Sequence, residues 1–384
     1  MRITALIVAA GRGTRAGPGA PKQYRTLLGR AILTRAAEVL LAHSAITEVR
    51  AVIHPEDGEA YAAAVSGLRL APPVWGGPTR QDSVRLALEA LATDPPDAVL
   101  IHDGARPLLS AALLDRVLAE VARGHAAIPA LPVTDTLKRA LDQTAIAGPS
   151  RDGLWRAQTP QAFPYAPLLA AHRAQAGGSA TDDAAIAETA GLAVHLVQGE
   201  EENIKVTHAN DLARAERLLL ARLPDVRTGM GFDVHAFGDE PGRALMLCGI
   251  AVQHSRSLAG HSDADVGIHA AVDALLGAMG DGDIGRHFPP TDSRWRNADS
   301  AAFLRFAAER LAQRGGVLAH LDVTLICEAP KIAPHAATMQ ARVAEIMAID
   351  PGRISVKATT TEKLGFTGRR EGIAAQAIAT IRLP

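Results

Sequence analysis

Near-continuous apolar runs alternate with segments of helical period along the first part of the chain. TALIVAA, VRAVIH, AVLIHD and AAIPAL, from residue 3 to about residue 131, are Val/Ile/Leu/Ala runs of strand length. AILTRAAEVLLAH and QDSVRLALEALA, between them, repeat their apolar positions every three to four residues. Strands apolar on both faces and separated by helices predict an α/β domain, with a mostly parallel sheet covered on both sides and ligands at the carboxyl ends of the strands. A long helical segment, THANDLARAERLLLARL, stops at Leu223, Pro224 and Asp225, and a new strand, RTGMGFDVH, follows. The boundary is placed there, giving domains 1–224 and 225–384. The second part combines strands near 227–235, 320–327, 353–358 and 372–382 with helices near 265–279, 299–314 and 334–347. That order predicts an α+β domain with helices on one face of a sheet. The two parts share no motif, and neither holds a repeat of fixed period or a low-complexity tract.

Composition adds boundaries to this picture. A length of 384 residues exceeds one hydrophobic core and agrees with two domains of about 100–200 residues each. With 48% apolar and 21% charged residues, the chain lacks the signature of disorder. Its 40 basic and 41 acidic residues leave a net charge of -1, so no global field draws it to nucleic acid or an anionic membrane, and any basic site is local. Cys248 and Cys327 are far apart and form no CxxC pair, which argues against a disulfide framework and a cysteine zinc cluster. Gly11, Arg12 and Gly13 end the opening apolar run too soon for a signal peptide, and no run approaches the roughly 18 residues of a membrane span. A soluble, cytoplasmic protein is expected.

Candidate chemistry begins where the first strand runs into AAGRGTRAGPGAPKQY. Gly11 and Gly13 permit close backbone approach and can turn N–H groups toward an anion, and Arg15 and Lys22 add positive charge. Gly11, Gly13 and Ala16 also satisfy GxGxxA, so dinucleotide binding competes. Against that stand the two cations and the second strand, VRAVIHP, which ends without the acid a dinucleotide ribose wants. A nucleoside triphosphate fits better, because nucleotidyl transfer needs cations where charge moves onto leaving pyrophosphate. A merely structural Gly-rich turn remains a third reading. Asp103, at the end of AVLIHD, could hold Mg2+ or a ribose hydroxyl, or simply cap a turn.

AAGRGTR, PKQY, GGPTRQDSV, HDGARP, DTLKR, RDGLWRAQTPQAF and NIKVT, in this order over about residues 2–222, resemble 2-C-methyl-D-erythritol 4-phosphate cytidylyltransferases. The resemblance implies a Rossmann-like nucleotidyltransferase domain that joins CTP to methylerythritol phosphate with Mg2+ and releases pyrophosphate. It assigns Arg15, Lys22 and Lys205 to the phosphates. The cytosine pocket falls to Ser83 with the backbone at Ala9, Ala10 and Gly77, beside Gly11 and Gly13 of the loop. Asp103 becomes the Mg2+ or ribose ligand, and Arg106, Thr136, Arg151 and Thr159 hold the sugar phosphate near a dimer interface. Pro78 stands where the family often carries an acid, so an adjusted base pocket is expected.

In the second part, GFDVHAF puts Asp233 and His235 two apart on a strand, so both side chains leave the same face. HSDADVGIHA opens a helix with Ser262, Asp263 and Asp265 as capping candidates and His269 in its first turns. Two histidines and a carboxylate match a catalytic zinc site with an open fourth position, although two unrelated histidines would give the same letters. The tail KATTTEKLGFTGRREG sets Thr359, Thr360, Thr361, Glu362 and Lys363 in one polar turn suited to a diphosphate and its metal, or to a loop that binds nothing.

GFDVHAF, HSDADVGIHA, GDIGRHFP, APKIAPH and KATTTEKLGFTGRREG, over about residues 228–383, resemble 2-C-methyl-D-erythritol 2,4-cyclodiphosphate synthases. The resemblance implies internal attack of a 2-phosphate on the β-phosphorus of a cytidine diphosphate alcohol, with loss of CMP. It assigns Zn2+ to Asp233, His235 and His269, and a second ion, Mg2+ or Mn2+, to Glu362. His261 and Ser262 would steady the 2-phosphate, and Asp283 and Gly285 would contact ribose or erythritol. Ala329, Pro330, Lys331, Thr359 and Thr360 would form the cytidine and phosphate pocket, with Phe366 and Arg369 beside it and Thr360 in a catalytic role. The family is trimeric, so a dimer-forming half joined to a trimer-forming half predicts a hexamer or larger assembly. Pro290 replaces an acid of the family pattern. A kinase step separates the two reactions, and that kinase is a candidate associate. Two further readings compete: an oxidoreductase built on the GxGxxA match, and a protein whose first half only senses CTP.

Overall fold

The computed structural model describes residues 1–13, 19–238, 244–289 and 291–384. The chain divides into two compact units, Met1–Leu218 and Leu219–Pro384. The helix expected to end near Leu223 runs Ala209–Ala221, and the next strand begins at Asp225.

In the first unit the strand Ile3–Ala9 lies between Glu48–Ile53 and Ala98–Asp103, parallel to both. Ala71–Trp75 extends this parallel core beyond Glu48–Ile53. On the other side Gln161–Pro164 enters antiparallel to Ala98–Asp103, followed by Ala126–Pro132 with Trp155–Ala157 and Val194–Gln198. The sheet is therefore largely parallel with an antiparallel insertion. Ile3, Ala5, Ile7 and Ala9 enter one buried cluster, and Leu6 enters the other. This alternation is the two-sided burial that the apolar runs predict. Three helices start at side-chain caps: Thr79 Oγ1 accepts from Asp82 N at 3.0 Å, Ser110 Oγ from Leu113 N at 3.0 Å, and Asp182 Oδ1 from Ala185 N at 3.1 Å. Several short elements escaped the sequence pattern, two of them for a plain reason. Ala71–Trp75 reads APPVW, whose prolines mask a strand, and the hairpin Lys138–Leu141 with Thr144–Ala147 is exposed throughout, so it has no apolar face to detect.

In the second unit five strands run in the order Ser257–Leu258, Asp225–Gly238, Gly372–Leu383, Val317–Ile326, Ile354–Thr359. Helices Val266–Met279, Ala301–Gln313 and Ala336–Met347 share one buried cluster with this sheet. Val266–Met279 is buried on nearly every side and lies directly across Asp225–Gly238. The approach is close because Gly229 and Gly231 face it. A Cβ on Gly231 would stand 2.0 Å from the Ala270 carbonyl oxygen and 2.7 Å from Ala274 N. Gly231→Ala is therefore expected to destabilise this unit by about 3 kcal/mol through overpacking, measured as a fall in its denaturant midpoint. An unchanged midpoint would mean that helix and strand can separate freely. No helix among the described residues is long and apolar enough to cross a membrane.

Candidate active sites

The parallel strands of the first unit end at a pocket of about 340 Å³. Ala9, Ala10, Gly11 and Gly13 line one side, Gly77, Pro78 and Ser83 another, and Lys22, Asp103 and Lys205 complete it. Arg15 lies outside the described residues. Gly13 adopts φ +63°, and a Cβ there would press on Lys22 Cγ at 2.8 Å, so the loop depends on glycine at this point. Gln23 holds the loop's entry, donating to the carbonyls of Ala9 at 2.7 Å and Gly11 at 3.1 Å. Ser83 Oγ accepts from Gly77 N at 3.1 Å and donates to Thr79 O at 2.9 Å, which fixes the Gly77 turn against the helix.

Asp103 is the charge centre of this pocket. Its Oδ2 lies 2.8 Å from Lys205 Nζ and 3.6 Å from Arg106 Nε, and its Oδ1 lies 3.6 Å from Arg80 Nε. Burial alone would raise the carboxyl's pKa, but Lys205, Arg80 and Arg106 outweigh it and hold Asp103 well below the usual carboxylate range. Arg80 also binds the buried Asp183 at 2.8 Å, and its Nη1 has no hydrogen-bond partner among the described residues. Behind Asp103, its own N–H donates to Thr159 Oγ1 at 3.0 Å, and that hydroxyl lies 3.1 Å from His102 Nδ1. Complete burial pushes His102 down to about 4, so the ring is neutral. A proton on Nε2, donated to the Arg106 carbonyl at 3.2 Å, makes the chain of bonds consistent. The Thr159 hydroxyl is thus engaged inside the protein. Thr136 and Arg151 are exposed beside the hairpin and do not line the pocket.

In the second unit Asp233 and His235 leave the strand on one face, as their spacing predicts, and meet His269 from the helix. Asp233 Oδ2 is 3.0 Å from His235 Nε2 and 3.0 Å from His269 Nδ1, and the two ring nitrogens are 3.2 Å apart. Each ring's other nitrogen is already placed. His235 Nδ1 is 2.8 Å from the Ala259 carbonyl, and His269 Nε2 is 2.9 Å from Ser300 Oγ, which donates to Asp263. With those outer contacts kept, the inward nitrogen of each ring can give its lone pair to an ion beside the carboxylate. Burial would raise Asp233, but the two histidines prevail and keep it ionised. This donor set fits a tetrahedral divalent ion with one open position.

Around this triad the other predicted residues fall into separate groups. Ser262 is buried with Oγ 3.1 Å from His269 Nε2, whereas His261 is exposed. Among the capping candidates, Asp265 caps the helix by accepting from Gly267 N and Ile268 N. Asp283 caps the short helix Ile284–His287, with Gly285 inside it. Glu362 sits in an exposed turn, where it accepts from the Thr360 hydroxyl at 2.6 Å, and it does not join the Asp233 cluster. Two bonds, Cys327 N to Thr359 O at 3.1 Å and Lys363 N to Glu328 Oε1 at 3.1 Å, bring the Ala329, Pro330 and Lys331 segment beside that turn. Phe366 is exposed there, and Arg369 pairs with Glu371. Pro290 lies outside the described residues.

Residues 3–221 match the family model of 2-C-methyl-D-erythritol 4-phosphate cytidylyltransferase (IspD), and residues 226–382 match that of the YgbB family. The chain belongs to both families. The bifunctional enzyme IspD/IspF of Rhodospirillum rubrum is 57% identical over 384 residues, covering 100% of this chain and 99% of the relative. That of Rhodopseudomonas palustris is 53% identical over 387 residues, covering 100% and 97%. A solved structure of bifunctional IspDF from Campylobacter jejuni is 31% identical, covers 100% of this chain and 99% of its own, and gives a TM-score of 0.49.

The protein is therefore a cytidylyltransferase joined to a cyclodiphosphate synthase, two enzymes of the methylerythritol phosphate route to isoprenoid precursors. One half transfers CMP from CTP to methylerythritol phosphate, and the other closes the 2,4-cyclodiphosphate with release of CMP. IspD and IspF enzymes use divalent metals. The oxidoreductase reading and the CTP-sensor reading fall with this membership.

Sequence reasoning passed over Arg80, Gln23 and Ser300. Arg80 and Gln23 stand inside the motifs GGPTRQDSV and PKQY, so their signal was present as letters. Only the fold shows that Arg80 reaches back to the end of a different strand. Ser300 belongs to no such motif, and its contact with His269 spans 31 residues.

Proposed function

We propose that CTP occupies the pocket of the first unit with cytosine against Gly77 and Ser83 and its phosphates along the Ala9–Gly13 loop, Arg15, Lys22 and Lys205. The 4-phosphate oxygen of methylerythritol phosphate attacks the α-phosphorus, the bond to the β-phosphate oxygen breaks, and negative charge passes to pyrophosphate. Lys22 and Arg15 meet that charge where it grows, and Lys205, positioned by Asp103, bears on the reacting phosphates. Arg106 faces the acceptor. Thr136 and Arg151, exposed at the hairpin, serve a site completed by a second copy, which supports dimer contacts in this half. The observation that carries the reading is the gathering of Lys205, Arg80 and Arg106 around one ionised aspartate at the carboxyl ends of parallel strands. Asp103 is already matched by three cations, so it fits Mg2+ only as an ion carried in by the phosphates, not as a resident one.

In the second unit Asp233, His235 and His269 would hold Zn2+, which supplies positive charge to polarise the β-phosphate. Ser262 and His261 steady the 2-phosphate for attack on the β-phosphorus. The turn with Thr359, Thr360 and Glu362 receives the α- and β-phosphates together with Mg2+ or Mn2+, and the neighbouring Ala329–Lys331 segment receives cytidine. CMP leaves as the bond between the two phosphates breaks. Val226, Met230, Phe232, Val234 and Ile378 are exposed large apolar residues on two paired strands, and this apolar sheet face supports trimer contacts in this half. Dimer and trimer together favour a hexamer or larger particle, and the functional boundary is Pro224/Asp225.

The test is one preparation assayed twice. With CTP, methylerythritol phosphate and Mg2+ it is expected to release pyrophosphate. With the 2-phosphorylated product and Zn2+ it is expected to release CMP and the cyclic diphosphate. Pyrophosphate release that persists after Lys22→Ala and Lys205→Ala would sink the pocket assignment.

A further inference from the structure

Among the described residues, one more group of metal-ligating side chains stands apart from both sites: Glu120, His125 and His195, whose ligand atoms all lie within 4.8 Å of one another. Rigid elements place all three. Glu120 is near the end of the helix Ala111–Ala122, and His125 immediately precedes the strand Ala126–Pro132. His195 lies on Val194–Gln198, the parallel neighbour of that strand, opposite Ala127. Between helix and strand Gly124 turns the chain at φ +84°, and His125 N donates to the Glu120 carbonyl at 3.1 Å. The turn thereby folds His125 back over Glu120.

Glu120 Oε2 is 3.0 Å from His125 Nδ1 and 3.7 Å from His195 Nδ1. Arg123 pairs with the other oxygen, Oε1, and so fixes which one faces the histidines. The two imidazoles stack with centroids 4.1 Å apart and planes at 10°. One carboxylate oxygen and two imidazole nitrogens, without a thiolate, suit a borderline divalent ion better than Mg2+ or Ca2+, which prefer all-oxygen shells. The side chains of His125 and His195 are 42% and 44% exposed, which leaves room for water to complete the shell.

We propose that Glu120, His125 and His195 form a further metal site, for an ion of the Zn2+ class, that clips the end of this helix to the two adjacent strands. None of the three lines the nucleotide pocket, so the site is structural: an ion bound only by the folded unit stabilises it in proportion to its occupancy.

Full-length protein stripped by a chelator and dialysed against micromolar Zn2+ is expected to retain one zinc per chain more than the double variant His125→Gln/His195→Gln. Glu120→Gln, which removes no ring, is expected to weaken retention about 10-fold or more. Both variants should keep the parent's rate of cytidylyl transfer, which reports that they fold. Counting the difference makes the test independent of how much zinc the Asp233 site holds. Equal zinc contents in parent and double variant would overturn the proposal. So would a difference that appears only at millimolar zinc, or one erased by millimolar Mg2+.

Discussion

Asp103→Asn is expected to slow cytidylyl transfer about 10²- to 10³-fold, the range seen when one preorganised electrostatic partner is removed, and to leave cyclisation unchanged. The amide keeps the shape and loses the charge. Lys205, 2.8 Å away in the parent, then has no ionised partner to aim it at the reacting phosphates. Arg80 keeps Asp183 at 2.8 Å, so it stays charged but is no longer shared between two carboxylates. Arg106 keeps the Asn203 carbonyl at 2.6 Å and is held in place by backbone. The deficit therefore concentrates on Lys205, and a kcat loss at saturating CTP is expected rather than a KM change alone. Pyrophosphate release measured on the full-length protein decides it. A rate within about threefold of the parent would remove Asp103 from the reaction.

The same substitution carries a pH signature. Asp103 is depressed in the folded protein, so its stabilising contribution is fully present above the unfolded carboxyl value of about 3.9 and is lost as pH falls below it toward the folded value. Asp103→Asn should destabilise the first unit by about 2 kcal/mol at neutral pH. That figure is set below the usual cost of breaking a buried pair because the Lys205 side chain is 42% exposed. The gap should narrow steadily in acid. A gap that widened on acidification would mean that a different group carries the charge balance.

Much of both sites was legible because their residues are local in sequence or fixed by simple periods. Strand period two placed Asp233 and His235 on one face, and the apolar runs located the carboxyl ends where Asp103 stands. What could not be read were contacts that join distant segments. Thr159 resembles a substrate ligand, and the ties of its hydroxyl to Asp103 N and His102 could be seen only in the fold. Arg80 was only a letter inside GGPTRQDSV, and the fold sets it between Asp103 and Asp183, 80 residues apart in the sequence. The hairpin carrying Lys138–Leu141 left no trace because an element exposed on all sides has no hydrophobic pattern. Glu362 shows the opposite limit. The sequence marks it as a ligand, yet within one chain it accepts from the Thr360 hydroxyl and stays apart from Asp233, a separation that no local pattern announces.

His235→Ala should abolish cyclisation, with a loss of about 10³-fold or more, while cytidylyl transfer stays within twofold of the parent. Three protein ligands leave none in reserve, and the charge supplied at the β-phosphate is worth several kcal/mol, where each 1.36 kcal/mol is tenfold in rate. Loss of metal alone would give the same result, so a second variant separates position from presence. Ser300 touches no ligand position. It takes up the outer nitrogen of His269 at 2.9 Å and is itself held by Asp263. Ser300→Ala should therefore weaken zinc binding about 10-fold, in the range known for outer partners of metal-bound histidines, and recover near-parent cyclisation when zinc is raised. His235→Ala should not recover at any zinc concentration. Rescue of both variants by zinc would show that His235 is dispensable as a ligand, and rescue of neither would make Ser300 part of the substrate site rather than a support for His269.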